Sequence, residues 1–264
     1  MKRMSRIGAL LFALLLMAGP VSAITWGVPD TEHTNVGAMV VDWPGYGPYQ
    51  FCTGTLVHPR VFLTAGHCTD GLAEYGIETI WVNFDQNAVN VDTLRLVEQV
   101  LTHPDFAWTG SDYHDVGLLV LAEPVTDIEP ATLPPLGYLD GLKKQGLLRG
   151  KAAGARFTVG GDGGTLSWPP PEISYEDLRQ VAQSEYKALR DAWLHMSQNR
   201  LQDDGGTCFG DSGGPAFYTA PDGTEILVGI TSWGDSQCIV TGYDYRVDIP
   251  ATLDFIVQTI ADLE

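Results

Sequence analysis

Basic residues are scarce in this chain. It carries 15 Lys and Arg against 33 Asp and Glu, a formal net charge of −18. A surface that acidic is a poor partner for nucleic acid or anionic lipid, and it suits cationic substrates or a salty medium. Long apolar runs are almost absent too. The only one, Ile7 to Ala18, falls short of the ~20 apolar residues a membrane span needs. It follows Lys2, Arg3 and Arg6 and precedes Val21-Ser22-Ala23, the layout of a secretory signal peptide with a small-residue cleavage site. Loss of residues 1–23 takes away three basic and no acidic side chains, which moves the net charge from −18 to −21. Cysteine is sparse: four residues, with no spacing that resembles a zinc site. In an exported chain four cysteines point to two disulfides, and the sequence alone leaves three connectivities open. No internal repeat is visible.

The chain has plenty of Gly (30) and Pro (16), with 44% hydrophobic residues broken into short runs. That pattern reads as all-β, with one large or two small cores. Expected strands are Val36–Val41, Phe51–Val57, Val61–Thr64, Ile80–Phe84, Leu94–Leu101 and Val116–Leu121. Residues 124–137, with prolines at 124, 130, 134 and 135, read as an extended connection. A second set follows at Ala155–Val159, Ile226–Thr231 and Gly242–Val247, with a Gly/Pro-rich loop at Gly160–Pro171. Ala251–Leu263 follows Pro250 and puts Leu253, Ile256, Val257 and Ile260 on one helical face. Residues 175–198 are helical by propensity.

Two short motifs carry chemistry. Cys208-Phe209-Gly210-Asp211-Ser212-Gly213-Gly214-Pro215 sets a serine in a turn so rich in glycine that backbone N–H groups can converge beside its hydroxyl. Thr64-Ala65-Gly66-His67-Cys68 supplies a base whose ordinary pKa lies near neutrality. A serine hydroxyl is a weak nucleophile until a positioned base takes its proton, so nucleophilic acyl transfer is the first reading. A third member fits at Asp115, which opens the apolar run Val116-Gly117-Leu118-Leu119-Val120-Leu121. A carboxylate buried there would fix the imidazole tautomer. Asp112 is its rival, and His114 has no assigned task. His33, His58, His103 and His195 read as structural or surface groups.

The chain resembles the chymotrypsin/trypsin-like serine endopeptidases, specifically their secreted bacterial members. The resemblance rests on Leu63-Thr64-Ala65-Gly66-His67-Cys68, Asp115-Val116-Gly117-Leu118-Leu119, Gly210-Asp211-Ser212-Gly213-Gly214-Pro215 and Ser232-Trp233-Gly234, in that order, and covers nearly all of residues 24–264. The order His, Asp, Ser matches this family and not subtilisins or α/β-hydrolases. The resemblance implies two six-stranded antiparallel β-barrels, barrel one over about 24–123 and barrel two over about 138–250, with the active site between them and a C-terminal helix. It implies a strand over about Gln180–Lys187 and a helix over about Leu189–Ser197, against the propensity reading. Ser212, His67 and Asp115 become the triad, and the N–H groups of Gly210 and Ser212 the oxyanion hole. Cys52 pairs with Cys68, and Cys208 with Cys238. Asp211 pairs with the ammonium of Ile24, which signal cleavage alone would create, so no separate propeptide is expected.

The resemblance puts the base of the primary specificity pocket at Gly206, beside Thr207, with Ser232, Trp233, Gly234 and Gly242 along its walls. An open, uncharged pocket of this kind favours large apolar or aromatic side chains. Asp204 or Asp244, if brought into the pocket, would instead favour basic ones. Protein or peptide substrates are the expected partners, with a protein protease inhibitor as another. The expected protein is a monomer, secreted or periplasmic, with no nucleic acid and no membrane contact after signal cleavage. No cofactor and no metal are expected, and no acidic loop shaped for calcium stands near Asp70–Glu78. Two competing readings stay open: a non-catalytic binding module on the same fold, and an esterase or amidase using the same triad.

Overall fold

A computed structural model describes residues 24–149, 155–167, 172–175 and 178–263. The signal peptide expected at 1–23 and part of the Gly160–Pro171 loop lie outside them. Strand β1 is Val28–Pro29. Barrel one then closes from β2 (Val36–Trp43), β3 (Gly47–His58), β4 (Val61–Thr64), β5 (Ile80–Asn83), β6 (Arg95–Thr102) and β7 (Gly117–Leu121). Around the barrel the strands run β2-β3-β4-β7-β6-β5, and antiparallel pairing of β2 with β5 seals it. Closure leaves no unpaired edge on these strands, so they can be short.

Barrel two is built from β8 (Arg156–Gly161), β11 (Gln180–Leu189), β12 (Trp193–Ser197), β13 (Pro215–Thr219), β14 (Glu225–Gly234) and β15 (Thr241–Arg246). Pairing of β8 with both β11 and β13 closes it. Strands β9 (Gly164–Ser167) and β10 (Glu172–Tyr175) form a separate hairpin. The two barrels are those of the chymotrypsin fold. One buried cluster, including Met39, Leu56, Phe62 and Leu118, fills barrel one and runs on through Trp193 and Tyr245. A second, including Phe157, Val159, Leu194 and Val228, fills barrel two.

Several expectations need correction. Leu189–Ser197 is not a helix: β11 runs through Leu189, and Trp193–Ser197 is a strand in register with β15 from Trp193↔Tyr245 to Ser197↔Thr241. Leu194 and Met196 are buried in that strand, and the barrel's need for a sixth member overrides local helix propensity. Strand β13 and the short helix α2 (Tyr138–Lys144; α1 is Gly66–Thr69) were not foreseen. The start of the chain does not belong to barrel one: β1 pairs with β11 of barrel two, and Thr25 bridges Gly206.

The terminal helix α3 (Pro250–Ala261) opens with Pro at a first-turn position, where a missing N–H costs nothing. Of the expected face, Ile256 is buried and Leu253 and Ile260 pack against the core, but Val257 is 61% exposed, and Thr252 and Thr259 are buried instead.

Candidate active site

Strand pairing explains how two distant motifs meet. Strands β4 and β7 are antiparallel neighbours with Thr64 opposite Gly117. His67 lies three residues beyond Thr64 in α1, and Asp115 lies two residues before Gly117, so both emerge at one end of barrel one. Asp115 is fully buried. Its Oδ1 accepts the backbone N–H of His67 at 2.8 Å, and its Oδ2 stands 2.9 Å from His67 Nδ1. Ser232, from β14 of the other barrel, donates its hydroxyl to the same Oδ2. Burial pushes the Asp115 carboxyl up, but the His67 and Ser232 bonds outweigh it and hold the group below the usual carboxylate range. Nδ1 of His67 is therefore engaged, which leaves Nε2 for chemistry. The rival Asp112 is occupied elsewhere, accepting the Tyr245 hydroxyl at 2.7 Å, and His114 stacks on His103. The exposed indole of Trp108 lies 5.4 Å from the His67 ring.

Ser212 enters from barrel two, in the loop before β13. Its carbonyl accepts the Thr53 N–H of β3 at 2.8 Å, which locks the loop to barrel one. Gly213 has φ +84, and a Cβ there would lie 2.1 Å from Thr64 Oγ1, so only glycine fits. Along this loop the N–H groups of Asp211, Gly213 and Gly214 donate to the carbonyls of Cys208, Thr231 and Asp211. Those of Gly210 and Ser212 donate to nothing among the described residues. No hydrogen bond joins Ser212 Oγ to His67.

Both disulfides form as expected, Cys52–Cys68 and Cys208–Cys238. The sulfurs of the first lie within 4.8 Å of the His67 ring nitrogen, but thiols joined in a disulfide do not ligate a metal.

Asp211 is fully buried, held by the N–H groups of Cys208 (2.7 Å) and Gly163 (2.8 Å). Burial, with the nearby Asp162, pushes its carboxyl up to about 8. No cation is paired with it among the described residues. Ile24 is buried too, against Gly27, and Thr25 exchanges hydrogen bonds with Gly206 at 2.9 and 3.0 Å.

Beside Ser212 opens a cleft of about 320 Å³ lined by residues that include Thr207, Phe209, Thr231, Ser232, Trp233 and Gly234. Trp233 is stacked on Tyr243 at 3.8 Å. Gly206 and Gly242 do not line it. A Cβ on either would run into the buried side chain of Gln198, at 2.2 and 2.9 Å. Those two glycines make room for Gln198, which no sequence signal singles out. Asp204 turns away to Arg156 at 2.7 Å. Asp244, whose carboxyl burial pushes up to about 8, stands opposite Thr231 on the neighbouring strand.

The chain resembles known proteins throughout this region. The family model described as Trypsin matches residues 26–256. A trypsin of Saccharopolyspora erythraea is 28% identical over 70% of this chain and 76% of its own length. The inactive CLIP domain-containing serine protease A28 of Anopheles gambiae is 30% identical over 69% of this chain and 49% of its own. Vitamin K-dependent protein C of Mus musculus is 28% identical over 80% of this chain and 46% of its own. The chain thus spans about half the length of two of these relatives. One relative is named inactive, so likeness alone does not decide catalysis, and the side chains of the site must. By sequence match and barrel architecture alike, this chain belongs to the trypsin family of serine proteases.

Proposed function

We propose that the protein is a secreted serine endopeptidase of the bacterial type, acting through Ser212, His67 and Asp115. The observation that carries this reading is the pair of N–H groups of Gly210 and Ser212 with no acceptor among the described residues, while those of Cys208, Asp211, Gly213 and Gly214 are bonded. Two such donors at a half-buried serine suit a developing oxyanion. In the proposed reaction His67 Nε2 takes the Ser212 proton as Oγ attacks the scissile carbonyl. The tetrahedral oxyanion is held by the two free N–H groups. His67 then returns the proton to the leaving amine, and water repeats the cycle on the acyl-enzyme. Asp115 holds the tautomer and the imidazolium.

The substrate would lie along β14 beyond its pairing with β13, which ends at Pro215↔Ile230. Ser232 to Gly234 keep β15 on one side only, an edge suited to an added peptide strand. An ammonium on Ile24, exposed by signal cleavage, would supply the cation that buried Asp211 lacks. The two disulfides accord with export. In this reading the protein is a monomer acting on proteins or peptides, outside the cell or in a periplasm.

For the residue before the scissile bond, the cleft volume and the walls of Phe209 and Trp233 support large apolar or aromatic side chains. A second reading is favoured by the floor. Gln198 Oε1, Thr231 Oγ1 and Asp244 Oδ2 are all buried without a partner. Gly242 and Asp244 lie on one face of β15, the face Gln198 touches, and Thr231 stands opposite Asp244. Three unpaired oxygens there suit a lysine or arginine side chain reaching past the cleft. Peptide substrates differing only at that residue separate the two preferences.

The activity itself is tested by fluorophosphonate labelling of the mature protein read by intact mass, beside Ser212→Ala. One adduct on the wild type and none on the variant is the expected result. A folded, disulfide-intact protein that takes no label would leave the binding-module reading standing. Comparison of peptide and ester substrates separates an endopeptidase from an esterase.

A further inference from the structure

Gly210 brings one of the two free N–H groups, and something must hold it in place. That N–H belongs to the Phe209–Gly210 peptide, and the left-handed turn at Gly210, with φ +93, sets its direction relative to the next peptide, between Gly210 and Asp211. Both ends of this peptide are bound. The Asp211 N–H donates to Cys208 O at 3.1 Å. The Gly210 carbonyl accepts two side-chain donors from barrel one, Thr53 Oγ1 at 3.0 Å and Gln50 Nε2 at 3.0 Å. Thr53 does more. Its Oγ1 accepts the Asp162 N–H at 3.1 Å, and Asp162 precedes Gly163, whose Cα would lie 2.8 Å from a Cβ on Gly210. Its N–H donates to Ser212 O at 2.8 Å, and its carbonyl accepts Thr64 Oγ1 at 2.7 Å, three residues before His67. Thr53 is fully buried. One side chain of barrel one thus grips the loops of barrel two that shape the free donors, and its backbone ties them to the strand that delivers the base.

We propose that Thr53, assisted by Gln50, is a positioning residue that presets the Gly210 N–H for the transition state. The proposal rests on the endopeptidase reading. Thr53 touches no reacting atom. Its hydroxyl fixes a peptide plane whose N–H neighbour meets charge only as the oxyanion forms. Loss of that hydroxyl should therefore fall on turnover and spare ground-state binding.

The test uses the mature protein with a peptide amide substrate and a peptide aldehyde, whose adduct with Ser212 carries the same oxyanion. Thr53→Val keeps the shape and removes the hydroxyl. It should lower kcat about 30-fold, somewhat less than outright loss of an oxyanion donor, and weaken aldehyde inhibition by a similar factor. KM should stay within about twofold, and Thr53→Ser should restore kcat to within about threefold of wild type. Gln50→Leu removes the other donor at a half-buried site and should lower kcat about fivefold with the same weakening of the aldehyde. That variant carries the test if Thr53→Val does not accumulate as folded protein. Wild-type kcat and aldehyde inhibition in these variants would overturn the proposal. So would a Thr53→Ser loss as large as that of Thr53→Val, which would trace the effect to methyl packing against Gly214. A wild-type protein that takes no fluorophosphonate would sink the endopeptidase reading instead.

Discussion

Asp115 and Asp244 are both carboxylates sealed from solvent, yet their surroundings are opposite. Asp115, at the mouth of barrel one, accepts from the His67 ring, the His67 N–H and Ser232, and is held below the usual carboxylate range despite its burial. Asp244, inside barrel two, has an oxygen with no partner, and burial alone pushes it up to about 8. Asp211 has two N–H donors but no cation among the described residues, and it too is pushed up to about 8. A buried charge is stable only when hydrogen-bonded or paired. On the proposed reading, the carboxylate behind the base is therefore fully partnered within the chain. On the same reading, the side that would recognise substrate and respond to processing keeps polar groups without a partner or counter-ion among the described residues.

The comparison is broken most severely at Asp115. Asp115→Asn keeps the shape but lets the amide donate to His67, which favours the wrong tautomer. The expected fall in kcat is about 10⁴-fold, with Tm nearly unchanged. A fall of only a few-fold would mean that Asp115 does not orient the base.

The next effect concerns Asp211. Mature protein carrying one extra residue before Ile24 places the ammonium elsewhere. Its kcat/KM should drop on the order of 100-fold, as when an oxyanion donor is lost. N-terminal sequencing of the exported protein should read Ile24 first, and full activity of the extended form would remove the proposed ion pair.

Asp244 sharpens the contrast through both specificity and pH. Its folded pKa of about 8 is above the unfolded value of 3.8, so the stability linked to its neutral form is present at acid pH and lost as pH rises through 8. Asp244→Asn should raise Tm at pH 8 and change it little at pH 4. If the floor takes basic side chains, the same variant lowers the arginine-to-phenylalanine ratio of kcat/KM about tenfold; an unchanged ratio leaves the apolar preference.

The smallest effect is at His33, which does not line the cleft. Its Nδ1 faces Asp30 and its Nε2 faces Glu225, each at 3.0 Å, and the Asp30 bond outweighs burial and raises its pKa. Its contribution is complete below its ordinary value of 6.5 and is lost as pH rises through the raised one. His33→Gln should cost about 1–2 kcal/mol at pH 6 and less at pH 9, read by urea unfolding.

The sequence by itself determined the family and the candidate site residues. A serine among glycines, a histidine beside a cysteine, and an aspartate opening an apolar run need only local context to be read. Their order along the chain points to one family. Strands with strong apolar runs, such as Val61–Thr64, were legible to the residue. What only the tertiary structure decided depends on contacts between segments far apart in sequence. Trp193–Ser197 is a strand because β11 and β15 flank it, against its own propensity. Gln198 fills the space behind two glycines that looked like an open wall. Thr53 grips a carbonyl 157 residues away. Such roles come from burial and hydrogen-bond geometry across the two barrels, and no spacing along one segment encodes them.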